Sequence, residues 1–524
     1  MKSTTLTCII ATPLFIALTI PAQLAAQHTR YKLVDIGTFG GPASYVNPAP
    51  LMGSPDQVNS SGTTVGGALT SIAITSSSNN AIVCGGIEGL LPLVNHAFQW
   101  QNGVLTDLGS LAGPNNCSVA IAINTSGEIS GRSENGVIDS VLGLNAVHAV
   151  VWKNGQILDL GTLGGSVSSA LGMNEHGQVA GFALNAIPDP VSIYDFLLFG
   201  SANGTQTRAF LWTDGVMQDL GTLGGPDAQS NFVNDQGQVA GFSYTDSTPN
   251  PSTGIPTLHP FLWQNGTMTD LGSLGGTLPG PEPGALNNFG QVVGSLTLAG
   301  DQVFHPFLWT SPGPMQDLGT LGGDNAGARA INDAGEVVGV SDLPGNHASH
   351  AFLWKNGVLA DLGTLPGDRF SVPFAINSRN QVVGESCPQS CENHLKNHAV
   401  LWENGSIFDL NSLIVNGHSG LRLTIAIAIN DNGVIAGVGD PPGCFFDTVC
   451  SHAFVLIPCG KITQGCEDNA QEATATTQNN SAPVANNSAT STSRIPTLRG
   501  MAGWRARMAQ RYHIPGLGGA SPRD

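Results

Sequence analysis

Two cysteines and two histidines in the last third of the chain have a spacing that could serve metal chemistry. Cys387, Cys391, His394 and His398 form the pattern Cys-x3-Cys-x2-His-x3-His, which loosely resembles the spacing of zinc ligands. The same cysteines could instead close a short disulfide loop. His398 also belongs to a repeated motif, which gives it a structural role without any metal. We therefore predict a Cys387–Cys391 disulfide and no metal, with zinc as the alternative.

The other cysteines indicate an oxidising environment. The chain has nine cysteines, and Cys8 lies in a predicted secretory signal over residues 1–26. This segment has a basic start at Lys2 and an apolar run from Ile9 to Ile20, which is shorter than the ~20 residues of a membrane span. The even number of remaining cysteines indicates disulfides in an exported protein. Proximity in sequence predicts the pairs Cys387–Cys391, Cys444–Cys450 and Cys459–Cys466. Cys84 and Cys117 remain, and a bond between them is predicted because they lie in an insertion and in the adjoining link between repeats.

Known catalytic signatures are missing from the sequence. It contains no His-Glu-x-x-His, no Gly-x-Ser-x-Gly and no phosphate-binding glycine loop. The acidic residues of the predicted loops are too scattered to assign as an acid–base pair; they include Asp195, Asp301, Asp342 and Asp368. The net charge of −18 argues against a nucleic acid partner, because phosphate binding needs lysine and arginine. We expect no cofactor and favour a protein that is not an enzyme.

The chain of 524 residues is too long for one ordinary compact core, and it repeats itself. One motif reads His-Ala-Phe-Leu-Trp or a near relative, and its copies begin at His96, His148, Arg208, His259, His305, His350, His398 and His452. Seven copies end in tryptophan, and the eighth has Leu456 instead. These tryptophans are Trp100, Trp152, Trp212, Trp263, Trp309, Trp354 and Trp402.

Two further motifs recur in a fixed order with the first. One reads Asp-Leu-Gly-Thr-Leu-Gly-Gly, and its aspartates are Asp35, Asp107, Asp159, Asp219, Asp270, Asp317, Asp361 and Asp409. The other is Asn-x-x-Gly-x-x-x-Gly, and its asparagines are Asn59, Asn124, Asn174, Asn234, Asn287, Asn332, Asn377 and Asn430. We expect the aspartates to accept backbone N–H bonds at their turns and the asparagines to cap the first turn of each repeat.

Constant spacing within each repeat indicates tight turns between paired strands. Asn-Gly pairs such as Asn154-Gly155, Asn265-Gly266 and Asn356-Gly357 are hairpin signals. Each repeat then contains four short strands, and strands apolar on both faces fit stacked sheets. We predict an all-β fold, an eight-bladed β-propeller of four-stranded antiparallel blades, with seven blades as the runner-up. The N-terminal strand near Tyr31–Ile36 would complete the last blade and leave no open edge.

The three motifs resemble the HAF-repeat family of bacterial extracellular proteins. The match covers roughly Tyr31 to Pro458, and it departs from the pattern at Arg208, Pro260, Pro306 and Leu456 without breaking the register. The resemblance implies export and repetition and names no settled activity.

Residues copied in every repeat cannot converge on one substrate atom, so the repeated Trp, Phe and His are expected to be structural. Function should lie where the copies differ. The connection from the second to the third strand spans 30 residues from Gly66 to His96 and 27 from Gly181 to Arg208, but 11 from Gly294 to His305. In an antiparallel meander these insertions emerge on one face, and variable loops on a rigid scaffold commonly bind ligands.

The third insertion contains an aromatic segment that could form a contact patch. Its candidate binding residues are Tyr194, Asp195, Phe196 and Phe199, and an extra strand packed on the scaffold is the alternative interpretation. The sequence thus favours an exported, non-catalytic protein that binds an extracellular ligand or protein through loops on one face. The alternatives are a propeller hydrolase or lyase acting on an extracellular polysaccharide, and a structural cell-surface protein.

The ends of the chain differ in composition from the repeats. The predicted organisation is a signal peptide at 1–26, a repeat domain at 31–458, an Ala/Thr/Asn/Ser-rich disordered linker at 467–493 and a basic tail at 494–524. The tail has an amphipathic pattern suited to an anionic surface, and a solvated tail without a partner is the alternative. No transmembrane span is predicted, and the expected location is secreted, periplasmic or at the cell surface.

Overall fold

The structure is a computed structural model, and it describes most of the repeat region. The described residues are 29–46, 56–74, 93–139, 144–193, 205–251, 253–280, 284–389, 391, 396–415, 420–444, 450–460, 466 and 476–477. Within these ranges, no helix has the length and apolar character needed to cross a membrane. The predicted signal peptide and basic tail lie outside the described residues, as does nearly all of the predicted linker.

The described chain is all-β, as predicted, and its strands pair in consecutive antiparallel sets that we call units. Unit 1 contains β2 (Gly40–Tyr45), β3 (Thr64–Ala73), β4 (Leu93–Gln101) and β5 (Val104–Asp107), and unit 2 contains β6 (Ser118–Ile123), β7 (Ile129–Ile138), β8 (Asn145–Lys153) and β9 (Gln156–Asp159). Unit 3 contains β10 (Gly164–Met173), β11 (Val179–Pro188), β12 (Thr205–Thr213) and β13 (Val216–Asp219), and unit 4 contains β14 (Ala228–Val233), β15 (Val239–Tyr244), β16 (Leu258–Gln264) and β17 (Thr267–Asp270).

The second half of the chain continues the same pattern. Unit 5 contains β18 (Gly275–Pro279), β19 (Ala285–Leu286), β20 (Val292–Leu298), β21 (Phe304–Trp309) and β22 (Gln316–Asp317), and unit 6 contains β23 (Ala326–Ile331), β24 (Val337–Asp342), β25 (Ser349–Lys355) and β26 (Val358–Asp361). Unit 7 contains β27 (Phe370–Ile376), β28 (Val382–Cys387), β29 (His398–Glu403) and β30 (Ser406–Asp409), and unit 8 contains β31 (Arg422–Ile429), β32 (Ile435–Asp440), β33 (His452–Pro458) and the N-terminal strand β1 (Tyr31–Asp35). A short 3₁₀ helix, Leu410–Leu413, follows β30. A two-residue strand, β34 (Thr476–Thr477), pairs with the outer edge of β30.

Four-stranded antiparallel sheets are therefore the building unit, and single parallel contacts join some neighbours. The parallel pair Val167 and Val147 connects units 2 and 3. The pair Ser349 and Phe370 connects units 6 and 7. Elsewhere neighbouring units pack through side chains, and apolar clusters fill the space between consecutive sheets.

The two ends of the repeat region meet in one sheet. Lys32 of β1 lies opposite Ile457 of β33, and Asp35 lies opposite Phe454, in antiparallel register. The histidine of the last repeat, His452, contacts the Asp35 carboxylate through Nδ1 at 3.0 Å. The N-terminal strand thus supplies the fourth strand and the motif aspartate that unit 8 lacks in its own sequence.

The Asn-Gly pairs form the hairpins that the sequence predicts. Asn356 has φ +51° and Gly357 has φ +82°, and Asn154 has φ +54°. Left-handed φ at both central residues defines the tight turn whose twist matches that of paired strands. The same turn recurs at Asn102, Asn265 and Asn404, and these hairpins fix the register between the third and fourth strands of their units.

The last glycine of the Asn-x-x-Gly-x-x-x-Gly motif makes room for an aromatic ring. Gly339 lies opposite Phe352 in the ladder, and a Cβ at Gly339 would stand 2.7 Å from the Phe352 ring and 2.0 Å from the Gly327 carbonyl oxygen. In units 2 and 7 the opposite residue is valine, and there the tryptophan ring lies over the glycine instead, as Trp152 does over Gly131. Each unit therefore needs a residue without a side chain at this point.

The repeated tryptophans pack between the sheets. Six of them are less than one-tenth exposed, and Trp212 is half-buried. The phenylalanines of the same motif, such as Phe261 and Phe307, are fully buried. A large aromatic side chain removes ~150–250 Å² from water, so each unit depends on its neighbour to cover this surface.

Candidate functional site

In five repeats the motif histidine pairs with an aspartate eleven or twelve residues later. His350 Nδ1 lies 2.9 Å from the Asp361 carboxylate, and Arg208 Nε takes the same place 3.0 Å from Asp219. The contact joins the third and fourth strands next to the interunit connection. The sequence carried this signal in the constant spacing of the two motifs, but the pairing itself was not predicted.

The motif aspartates also hold the turn that follows them. Gly109 N donates to Asp107 Oδ1 at 2.8 Å, and equivalent bonds recur in the other units. Burial acts to raise the pKa of the Asp107 carboxyl, but the hydrogen bonds from His96 and Gly109 outweigh it, so the pKa is lowered. These groups therefore act as a repeated clamp between strands, and a set repeated around the chain does not form one catalytic centre.

The seventh repeat departs from this clamp. His398 Nδ1 lies 3.2 Å from Asp368 Oδ2, and the hydrogen bond raises the pKa of the His398 imidazole. Asp368 also accepts a bond from Ser386 Oγ at 2.7 Å. The motif aspartate Asp409 instead accepts from Asn411 N at 2.9 Å and caps the short 3₁₀ helix.

The residues of the alternative zinc site have other roles where they are described. Cys387 and Cys391 form a disulfide with Cα atoms 5.4 Å apart, and His398 contacts Asp368. His394 lies outside the described residues. The Glu385 carboxylate lies within 4.8 Å of both sulfurs. Sulfurs joined to each other are not thiolate ligands, so this group favours the disulfide interpretation.

The other disulfides lie at or beyond the insertions. Cys444–Cys450 and Cys459–Cys466 are present, each with Cα atoms 5.7 Å apart. Cys117 is disulfide-bonded, and its predicted partner Cys84 lies outside the described residues. Like Cys387–Cys391, the Cys444–Cys450 bridge lies in a connection between the second and third strands of its unit.

The opposite face consists of short turns that bind one another. In each turn the motif asparagine caps the backbone, as Asn174 Oδ1 does by accepting Gln178 N at 2.9 Å. Its Nδ2 then donates to the asparagine carbonyl of the next unit, in the pairs Asn59–Asn124, Asn174–Asn234, Asn234–Asn287, Asn287–Asn332, Asn332–Asn377, Asn377–Asn430 and Asn430–Asn59. Units 2 and 3 are joined differently, because Thr125 N donates to Glu175 Oε2 at 2.9 Å. This face is rigid and nearly uniform.

The face that carries the connections between the second and third strands is called the insertion face. Buried carboxylates anchor the connections on this face. Asp301 accepts bonds from Thr277 N at 2.7 Å and from Thr297 Oγ1 at 2.6 Å. Asp342 accepts from Ser349 Oγ at 2.7 Å, and burial raises the pKa of its carboxyl. Asp301, Asp342 and Asp368, which the sequence marked as loop acids, are thus held in separate hydrogen-bonded positions; Asp195 lies outside the described residues.

The third insertion begins at a buried pair of carboxyl groups. Asp189 is 4% exposed and Asp227 is fully buried, and the two side chains contact each other. Burial and the neighbouring Asp189 raise the pKa of Asp227 well above its usual range. Ile193, four residues after Asp189, is buried in an apolar cluster with Tyr244.

The predicted contact patch follows directly after this anchored segment. Tyr194, Asp195, Phe196 and Phe199 lie outside the described residues. Asp189 and Asp227 belong to none of the repeated motifs, although each has a proline immediately before it. Their separation by 38 residues along the chain hid the contact, which only the pairing of β11 with β12 and the start of β14 creates.

No family model matches the chain, and no curated protein matches it in sequence. The β-propeller domain of the Trilobed protease from Pyrococcus furiosus is 9% identical over 73% of this chain and 95% of that chain, with a TM-score of 0.38. Porphyromonas gingivalis dipeptidyl peptidase 4 is 10% identical over 67% of this chain and 54% of that one, with a TM-score of 0.39. TolB from Acinetobacter baumannii is 9% identical over 56% and 61%, with a TM-score of 0.28. These resemblances carry no inference about activity.

Proposed function

We propose that the chain is an exported HAF-repeat protein, folded as an eight-bladed β-propeller, that binds an extracellular ligand or protein partner through the insertions on one face without catalysing a reaction. Each unit corresponds to one blade, and β1 completes the last one. The pairing of Lys32 with Ile457 and the hydrogen bond from Asn430 to the Asn59 carbonyl support a closed ring.

The difference between the two faces is the observation that carries the binding proposal. Turns on one face have constant length and are hydrogen-bonded from unit to unit. Connections on the other face vary from 11 to 30 residues, as between Gly294–His305 and Gly66–His96. Disulfides and buried carboxylates anchor those connections where they leave the sheets. A rigid scaffold that holds diverse loops at low entropic cost favours recognition.

The disulfides also support export. Cys387–Cys391, Cys444–Cys450 and Cys459–Cys466 would persist in an oxidising compartment and be reduced in most cytosols. The predicted signal over residues 1–26 is consistent with the same location.

The binding proposal is tested by shortening the insertions. Wild-type protein is screened on arrays of purified extracellular polysaccharides and matrix proteins, together with a variant in which residues 75–92 and 194–204 are each replaced by a short Gly-Ser connection. The expected result is a bound ligand whose signal falls at least about tenfold in the variant, as for loss of a contact surface. Asn102→Gly with Asn265→Gly, at hairpins on the opposite face, serves as the control and should bind normally.

Two outcomes of this screen would contradict the proposal. Binding that survives removal of both insertions would place recognition elsewhere on the chain. Cleavage of an arrayed polymer by the wild type would support the hydrolase or lyase alternative instead.

A further inference from the structure

The segment that leads into the third insertion donates backbone hydrogen bonds to two buried carboxyl groups. Asp189 Oδ1 accepts Val191 N at 3.0 Å, and Asp227 Oδ2 accepts Ile193 N at 2.5 Å. Asp227 Oδ1 accepts Thr207 N at 3.0 Å at the start of β12. Three segments therefore meet here: the end of β11, the start of β12 and the connection before β14.

The second oxygen of Asp189 has no hydrogen-bond donor among the described residues. Asp189 Oδ2 is buried, and the side chain faces the Asp227 carboxyl. Two carboxylates are both acceptors and repel each other, and the repulsion is strong where water is excluded. Either a proton that the two groups share or a bound cation must therefore offset this repulsion.

Two buried hydroxyl groups belong to the same segments. Ser192 Oγ and Thr207 Oγ1 lie 2.9 Å apart and are fully buried, and the Thr207 amide and the amides on both sides of Ser192 donate to the two carboxyls. Carboxylate and hydroxyl oxygens suit a hard cation, whereas zinc prefers sulfur and nitrogen. Calcium tolerates irregular geometry and is abundant outside cells, so this ligand set fits calcium better than magnesium.

We propose that Asp189 and Asp227 bind a calcium ion that fixes the third insertion to the scaffold. The ion would neutralise the two carboxylates and hold the turn over residues 189–193 against the start of β12. The alternative is a single proton shared by the two carboxyls, with no metal.

The test is calcium-dependent stability of the full mature chain. EDTA-treated protein is unfolded thermally at pH 7 with and without about 10 mM Ca²⁺, above the ~10⁻⁴–10⁻³ M dissociation constants of extracellular calcium modules. The expected result is a Tm rise of a few degrees and a saturable heat of binding by titration calorimetry, with a smaller effect of Mg²⁺.

Two variants separate the cation from the proton. Asp189→Asn supplies an amide that donates to Asp227, so it replaces the shared proton but loses a charged ligand; it should fold and lose the calcium response. Asp301→Asn changes another buried carboxylate of the same face and should keep the response even though its own Tm is lower. Calcium that does not stabilise the wild type, or a response that persists in Asp189→Asn, would overturn the proposal.

Discussion

Single residues of the repeat are fixed by steric and hydrogen-bonding demands that have nothing to do with a ligand. The glycine opposite each motif aromatic exists because a Cβ would overlap a backbone oxygen, as at Gly339. At the turn between the first two strands Asn380 replaces the usual glycine, and its φ of +61° is left-handed. Asparagine is the residue that best tolerates this conformation after glycine, so the departure from the motif keeps the turn.

Glu385 should make the stability of the protein depend on pH, because burial raises the pKa of its carboxyl to about 8. The folded protein holds Glu385 protonated at a pH where the unfolded chain has already ionised it. Its contribution to stability is full below the unfolded pKa of roughly 4 and is lost as the pH rises to about 8, by up to about 1.4 kcal/mol per pH unit.

Replacing this carboxyl should therefore flatten the pH dependence of unfolding. Glu385→Gln keeps an oxygen for the bond that Asn397 Nδ2 donates at 2.7 Å. We expect urea unfolding of the variant to change less between pH 5 and 8, about the window set by those two pKa values. A wild type and variant with parallel profiles would show that Glu385 does not titrate in this range.

The third and fourth strands of a repeat are joined by a hairpin and by the clamp, which is the contact between the motif histidine and an aspartate. The clamp joins groups on neighbouring strands, and in unit 8 it joins His452 to Asp35 across the whole repeat region. Because one hairpin and one clamp recur in nearly every unit, the shape of a unit depends mainly on its local sequence.

The β25–β26 hairpin gives a clean measure of this local contribution. Asn356 has φ +51°, and an alanine there would cost about 1–2 kcal/mol in the left-handed region. We expect Asn356→Ala to lower the free energy of unfolding by roughly that amount in urea titrations. Asn356→Gly is the matched control and should change it by only a few tenths of a kcal/mol. Equal losses in both variants would assign the effect to the lost amide group instead.

The whole molecule depends on a contact between distant parts of the chain. Tyr31 of β1 is fully buried in a cluster with Phe454 of β33 and Leu413. The turns add the bond from Asn430 Nδ2 to the Asn59 carbonyl, at 2.7 Å. The ladder between β1 and β33 also pairs backbone groups of β33 that would otherwise form an open strand edge.

Deleting β1 should therefore weaken the entire repeat region. A variant lacking residues 29–36 loses the ladder to β33 and the Asp35 partner of His452. We expect a clear drop in Tm and faster amide exchange in β33, with recovery when a peptide of residues 29–39 is added. Removal of residues 494–524, the predicted tail, is the control and should leave Tm unchanged. A deletion of β1 without effect would contradict closure by this strand.

The repeating unit follows from the sequence alone, because turn chemistry and apolar patterning act over a few residues. The Asn-Gly hairpins, the four-stranded antiparallel sheets and the pairs Cys387–Cys391, Cys444–Cys450 and Cys459–Cys466 all follow from neighbours in sequence. Which distant groups meet could be seen only in the folded protein. The contact of Asp189 with Asp227, the Asp368 partner of His398 and the bond from Asn430 to Asn59 depend on how whole sheets pack, and spacing along the chain does not encode those distances.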